Sequence, residues 1–216
     1  SGCAYPGVNF AAYVGVSNPF SATEKIHFNP PSGGPTIMDL SICNVLVNAH
    51  YLINMPIVKI HPFTGVSLGF KNHFGSFDRC DLAHVYTLGC PSDIYTCYYD
   101  ANYSPLIDIY ANPHIKNKTI LTVGDCLFGA WSDPTWKPLP WSTFENNAPN
   151  SLFFAIDPLA VECVMTDILN AESPVIVETN HYLELAHNAG LGVYERGSPW
   201  EAGYQKIDYI RIDTSV

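Results

Sequence analysis

The sequence predicts an α/β fold in which helices flank a mainly parallel sheet. Residues 118–123 read K-T-I-L-T-V and are the clearest strand, and residues 152–156 form a second short apolar segment. Asp157 and Pro158 follow directly. An aspartate N-cap before a proline at the first helical position predicts a helix that runs to about Asn170.

An earlier strand of the predicted sheet covers residues 53–58 and is interrupted at Pro56. We expect this strand to be buried, with Lys59 and His61 at its end. Pro62 then ends the strand, because proline cannot donate a hydrogen bond to a strand ladder.

A helix is expected to follow this strand. Thr64 is its candidate N-cap, and Gly75 is its candidate C-terminal glycine. Val66, Phe70 and Phe74 form an apolar stripe with a spacing of four residues. In a simpler interpretation the segment is a strand, a turn and a helix without a function, and the lysine ammonium group extends to solvent.

The remaining elements are predicted from shorter patterns. Further strands are expected near 24–28, at 42–47 and, at an edge of the sheet, at 206–212. Further helices are expected at 93–110, capped by Ser92 and broken at Ser104-Pro105, and at 181–188, ending at Gly190. Loops are expected at 1–36, at 78–91 and, as a long segment rich in Trp and Pro, at 126–150.

Length and composition predict a single α/β domain over residues 1–216. No apolar run is long enough for a membrane span. A net charge of −10 argues against nucleic acid and anionic membranes as partners. Charged residues make up only 14% of the chain, which contains 17 Pro. This composition favours an exported protein, periplasmic or extracellular, or a component of a homo-oligomer or larger assembly.

The chain has seven cysteines and no C-x-x-C pair. It therefore has neither a haem-attachment motif nor a ferredoxin-type iron–sulfur motif. Cys80, Cys90 and Cys97 are close enough in sequence for one local disulfide in an oxidising compartment. The odd total leaves at least one thiol unpaired or intermolecular. Cys43, Cys126 and Cys163 are interpreted equally well as small, buried, apolar side chains.

The predicted sheet brings ionisable residues from distant segments together. Lys59 and His61 follow one strand, Asp125 follows another, and Asp157 follows a third. The carboxyl ends of parallel strands meet at one edge of a sheet, where ligands bind, so we expect these side chains to share a rim. Lys71 is expected to lean over the same rim from the helix after the first strand.

These residues form the candidate site. The predicted catalytic residues are Lys59, His61, Lys71 and Asp125. The predicted ligand-binding residues are Thr64, Asn72 and Asp157. Asp157 also fits a purely structural N-cap, and Asp125 also fits a cap of the turn after its strand. Four other histidines are interpreted as structural, namely His73, His84, His181 and His187.

The chemistry of such a site follows from its groups. Two lysines bind a carboxylate or a phosphate as point charges, and a lysine desolvated beside a second cation acts as a base or Schiff-base nucleophile. His61 is suited to moving a proton near neutral pH. Asp125 or Asp157 would orient these groups or hold a divalent metal with His61. No nucleotide-binding glycine motif occurs in the sequence.

Residues 59–75 read K-I-H-P-F-T-G-V-S-L-G-F-K-N-H-F-G. This string resembles the core signature of a family known as "domain of unknown function three-six-two". V-G-D-C at 123–126, A-I-D-P-L-A-V-E at 155–162 and A-G-L-G-V at 189–193 fit the same family in order, so the resemblance covers about residues 40–213. Members are often fused to ferredoxin-type iron–sulfur modules, which this chain lacks. An earlier strand of the family pattern is also expected to be missing.

Three functions are compatible with these patterns. The first is an enzyme that binds a small anionic molecule and carries out acid–base chemistry, assisted by a divalent metal or without one. The second is a non-catalytic exported or surface protein in an assembly. The third, which only the resemblance suggests, is an accessory to an iron–sulfur redox system.

Overall fold

The helices and strands are those of an α/β protein, which confirms the predicted fold class. The computed structural model describes residues 19–87, 89–90, 92–93, 96–132, 137–173 and 178–214. Its strands are β1 (Phe20–Ile26), β2 (Leu40–Cys43), β3 (Leu52–Asn54), β4 (Ile57–His61), β5 (Gly65–Ser67), β6 (Thr119–Ala130) and β7 (Ser151–Ala155). Its α-helices are α1 (Asn44–Asn48), α2 (Pro105–Ala111), α3 (Pro113–Lys116), α4 (Pro158–Glu172) and α5 (Glu178–Asn188). Short 3-10 helices cover Lys71–Gly75, Cys80–Tyr86 and Ser142–Phe144.

Five of the described strands form one mixed sheet around the long strand β6. β3 and β4 pair in parallel with successive parts of β6, so they lie in tandem on one flank of it. β7 pairs antiparallel with β6 on the other flank, and β5 pairs antiparallel with β4. β1 and β2 form a separate antiparallel pair. The parallel pairing thus lies at the centre of the sheet.

Helix α4 covers one face of this sheet and supplies much of the hydrophobic core. Every residue from 159 to 169 is buried, as expected for a helix that is packed on all sides. Gly124 of β6 allows the close approach, because a Cβ at this position would lie 2.3 Å from Met165 Sδ. The helix therefore sits directly on the central strand.

The helix predicted after Thr64 is wrong. β4 does end at His61, as Pro62 predicted, but the chain then turns back as strand β5 and continues into a 3-10 helix. Gly65 adopts a φ of 74°, and the Thr64 hydroxyl donates to the Val66 carbonyl (2.8 Å) instead of capping a helix. The apolar stripe is buried as expected, but strand and 3-10 segments produce it.

Several other predicted elements also differ from the structure. The segment expected to be a loop at 78–91 contains a 3-10 helix. Within the described part of 93–110, the helix begins at Pro105, with Ser104 at its N-cap position, and residues 94 and 95 lie outside the described residues. β6 extends into the expected 126–150 loop, and no strand forms at 206–212, which lies entirely within the described residues. The strand expected at 42–47 ends at Cys43, where α1 takes over. Local apolar patterns did not distinguish these alternatives.

The expectation that three strand ends meet at one edge is also wrong. Thr122 pairs with Ala155 and Cys126 pairs with Ser151, so β7 runs antiparallel to β6. Asp157, which follows β7, therefore lies toward the start of β6. Lys59 pairs with Ala130 at the end of β6. The two residues thus lie at opposite ends of the sheet.

The cysteines follow the expected pattern where the structure describes them. Cys90 and Cys97 form the local disulfide, with Cα atoms 5.8 Å apart. Cys126 and Cys163 are buried free thiols, and Cys43 is a half-buried free thiol. None of the described helices has the length and apolarity needed to cross a membrane.

Candidate functional site

The β4–β5 hairpin and the 3-10 helices that follow it bring four basic side chains together. Lys59 and His61 project from the same side of β4, opposite Ser67 and Gly65 of β5. Lys71 begins the first 3-10 helix, and His84 lies near the end of the second. We call Lys59, His61, Lys71 and His84 the basic cluster.

Lys71 is the most buried member of the basic cluster, with 7% of its surface exposed. Its Nζ lies 3.0 Å from His84 Nε2 and 3.4 Å from the centre of the Phe74 ring. An ammonium group has no lone pair, so it donates to His84 Nε2, and the imidazole proton of a neutral His84 is then on Nδ1. The aromatic face adds a cation–π contact.

His61 is held as a neutral imidazole. Its Nδ1 accepts a hydrogen bond from the backbone N–H of Phe63 (3.1 Å), which places its proton on Nε2. Its ring lies parallel to that of His84, with centroids 6.5 Å apart. Burial lowers the pKa of His61 to about 3, with further contributions from the charges of Lys71, His84 and Lys59. The lowered pKa thus reflects burial first and the other three members of the cluster second.

A buried carboxylate fixes the backbone that leads into Lys71. Glu162 of α4 is fully buried and accepts hydrogen bonds from the N–H groups of Gly69 (2.7 Å) and Phe70 (3.3 Å). Its third donor is the Tyr182 hydroxyl, at 2.7 Å. Burial raises the pKa of Glu162 to about 7, although these three hydrogen bonds act in the opposite direction. Glu162 therefore connects α4 and α5 to the segment that carries Lys71.

Two asparagines complete this support. Asn54 donates to the Gly69 carbonyl (2.8 Å) and accepts from the Asn72 side chain (2.7 Å). Asn72 was predicted to bind ligand, but in the structure its side-chain amide donates to Asn54 of β3. The Thr64 hydroxyl, also predicted to bind ligand, is occupied within the hairpin turn. The contacts of Asn72 and Thr64 described here are thus structural.

The two predicted acidic residues occupy different positions in the sheet. Asp125 is a mid-strand residue of β6 that pairs with Ile57, and its carboxylate accepts from the Leu127 N–H (3.0 Å). Asp157 caps α4 by accepting from the N–H groups of residues 159 and 160, and its second oxygen accepts from the Val193 N–H, each at 2.9 Å. The site therefore unites Lys59, His61 and Lys71, but not Asp157.

A crevice opens beside the basic cluster, on the other side of Phe63. The Phe63 ring packs edge-on against both His61 and His84, with centroids 5.3 Å apart in each pair. Tyr99, Tyr103 and other aromatic and hydroxyl side chains line the crevice, whose volume is about 20 Å³. This volume holds about one water molecule. A larger ligand would therefore bind at the surface of the cluster.

Sequence reasoning missed two residues of this arrangement. His84 was interpreted as structural, because it lies in a segment without periodicity. Glu162 looked like an ordinary helix-face carboxylate, and its complete burial is visible only in the fold. Among the side chains that the structure describes, no group of three or more His, Cys, Asp or Glu is arranged to hold a metal ion.

Neither the curated proteins nor the solved structures contain a match to this chain. One family does match, described as "Domain of unknown function (DUF362)", and the matched region, residues 8–128, is more than half of the chain. That region contains all four members of the basic cluster. The chain belongs to the DUF362 family.

Proposed function

We propose that the protein binds a small anionic molecule at the basic cluster. The observation that supports this proposal is the contact between Lys71 Nζ and His84 Nε2, at 3.0 Å, beside the neutral His61. Two lysines and two imidazoles in such proximity disfavour further protonation, and this effect adds to that of burial in lowering the pKa of His61. An anion would reduce this repulsion and would be bound more strongly for that reason.

In this proposal the members of the cluster have different roles. Lys59 and Lys71 supply positive charge to a carboxylate or phosphate. His61 presents its Nε2–H, because its Nδ1 is engaged with the Phe63 backbone. A neutral imidazole whose pKa rises when an anion arrives is suited to take up a proton during a reaction. Acid–base chemistry on the bound anion is the activity that this arrangement favours.

The disulfide supports a location outside the reducing cytosol. Cys90 and Cys97 are joined in a segment just after the 3-10 helix that carries His84. Disulfides persist in oxidising compartments and are rare in the cytosol of most organisms. We therefore infer that the protein works as an exported protein, in agreement with its low content of charged residues.

Isothermal titration calorimetry with inorganic phosphate and with succinate at low ionic strength tests the binding proposal. Lys59→Met and Lys71→Met should each weaken binding at least about tenfold. Lys25→Met, which removes an exposed lysine of β1, is the control and should leave the affinity unchanged. Lys59 is only half-buried, so its variant remains informative even if loss of Lys71 impairs folding. If neither anion binds to the wild-type protein, or if all three variants bind equally well, the proposal is wrong.

A further inference from the structure

One face of the five-stranded sheet presents apolar side chains to solvent. We call this the open sheet face, and its exposed members are Ile53, Met55, Ile57, Leu152, Phe154 and Ile156. Their exposed fractions range from 47% to 84%. Exposure alternates along both flanking segments, so these side chains all project from the same side of the sheet.

The pairing of the strands makes this surface continuous. Leu152, Asp125 and Ile57 form one row across β7, β6 and β4. Phe154 lies beside Val123, and Ile53 beside Leu121, so the next rows are apolar throughout. The opposite face is covered by α4. Sheets with parallel pairing are nearly always covered on both faces.

The area of the face is close to what a stable dimer requires. A large apolar side chain has a surface of about 150–200 Å², so the six side chains at their observed exposure present on the order of 600 Å². One partner contributes roughly 800 Å² to a standard interface. The flanking atoms of the strands would supply the remainder.

Charge favours a second copy of the chain as the occupant. The whole chain carries a net charge of −10, so two copies approach each other most readily through a surface that has few charges. Asp125 lies within the rows of the open sheet face, and Lys59 and His61 continue the same side of β4 beyond Ile57. A nucleic acid or an anionic membrane would require a cluster of cations among these rows, whereas the six side chains that define the face are uncharged.

We propose that two copies of the chain pack their open sheet faces against each other around a two-fold axis. The contact is isologous, because the same rows of side chains meet on both sides. Two twisted sheets packed in this way lie about 10 Å apart and exclude water from a common apolar layer. Lys59 borders this surface on β4, but the packing of the apolar rows does not require an anion at the basic cluster.

Size-exclusion chromatography with light scattering, over a hundredfold dilution series, tests the proposal. The wild-type protein should show twice the mass of the chain. Phe154→Glu and Leu152→Glu should each raise the dimer dissociation constant at least about tenfold and leave the circular dichroism spectrum unchanged. Met38→Glu is the matched control, since Met38 is 62% exposed and Phe154 is 63% exposed, but Met38 precedes strand β2 of the other sheet. A wild-type protein that stays monomeric, or a dimer that both face variants leave intact, would overturn the proposal.

Discussion

The carboxylate of Glu162 accepts a 2.7 Å hydrogen bond from the backbone N–H of Gly69, two residues before Lys71. This contact joins the motif D-P-L-A-V-E to the motif G-F-K-N across more than 90 residues of chain. A Cβ at residue 69 would lie 3.0 Å from the same carboxylate oxygen. The two motifs are therefore parts of one structural unit, and Glu162 acts on Lys71 through the backbone.

Replacing Glu162 should change how stability depends on pH. The pKa of Glu162 is about 7 in the folded protein, against 4.5 for an ordinary glutamate. The folded state therefore holds the proton more tightly. The contribution of this group to stability is complete below pH 4.5 and is lost as the pH rises to about 7, by at most about 3 kcal/mol.

Chemical denaturation of the wild-type protein and of Glu162→Gln between pH 4.5 and 8 measures this effect. The stability of the wild type relative to the variant should fall with rising pH. Glu172→Gln, on the same helix, is the control, and its stability difference from the wild type should be nearly constant in this range, because the lowered pKa of Glu172 places its titration below pH 4.5. Burial opposes ionisation of Glu172, but hydrogen bonds from Thr143 and Ser142 outweigh it and lower its pKa. Parallel profiles for the wild type and Glu162→Gln would show that Glu162 does not titrate in this range.

Asp157 should prove to be a structural residue. Asp157→Ala removes an N-cap and a hydrogen bond to Val193, which together should cost about 2 kcal/mol of unfolding free energy. Phosphate binding should remain unchanged, because the residue lies at the opposite end of the sheet from Lys59. Denaturation and calorimetry on the same sample measure both quantities. A variant that folds normally but no longer binds phosphate would show that Asp157 belongs to the binding site.

Gly192 should be required for the hydrogen bond between Asp157 and the Val193 backbone. Its φ is 150°, and a Cβ there would lie 2.2 Å from Asp157 Oδ1. Gly192→Ala should therefore destabilise the protein more than Gly190→Ala does. The latter also places alanine at a positive φ, 69°, but meets no atom within 4 Å. Thermal denaturation of the two variants provides the comparison, and equal losses would exclude a clash with Asp157.

His73 should make the protein sensitive to acid. It is buried, and burial lowers its pKa to about 4, against an ordinary value of 6.5. The unfolded chain therefore binds the proton more readily, and stability falls as the pH drops from 6.5 toward 4. At pH 5 the wild type should have lost about 2 kcal/mol that His73→Leu does not lose. Urea denaturation at pH 7 and pH 5 measures this difference, with His50→Leu as the control at an exposed position.

The sequence predicted the fold class, the helix after Asp157 and the proximity of Lys59, His61 and Lys71. These succeeded because the signals are local: an N-cap, a first-turn proline and basic residues separated by one short hairpin. The direction of β7 could not be predicted in the same way. The sequence of an apolar strand does not show whether the neighbouring strand runs parallel or antiparallel to it. The assumption that β7 is parallel placed Asp157 at the wrong edge of the sheet.

Burial was also beyond local patterns. The spacing of Val66, Phe70 and Phe74 fits a helix, but the same residues are buried by a strand and a 3-10 helix. His84 joins the basic cluster only because the chain folds back after Lys71. The strand at 53–58 was expected to be buried, whereas its side chains Ile53, Met55 and Ile57 are exposed.

A titration of His61 by nuclear magnetic resonance tests the central claim most directly. The Cε1–H chemical shift is followed from pH 8 to pH 4, in the wild type without ligand, in the wild type with excess inorganic phosphate, and in Lys71→Met. If the basic cluster exists and binds anions, His61 remains neutral down to pH 4 in the free wild type, and its pKa rises in the other two samples. A pKa near 6.5 that is the same in all three samples would contradict the account.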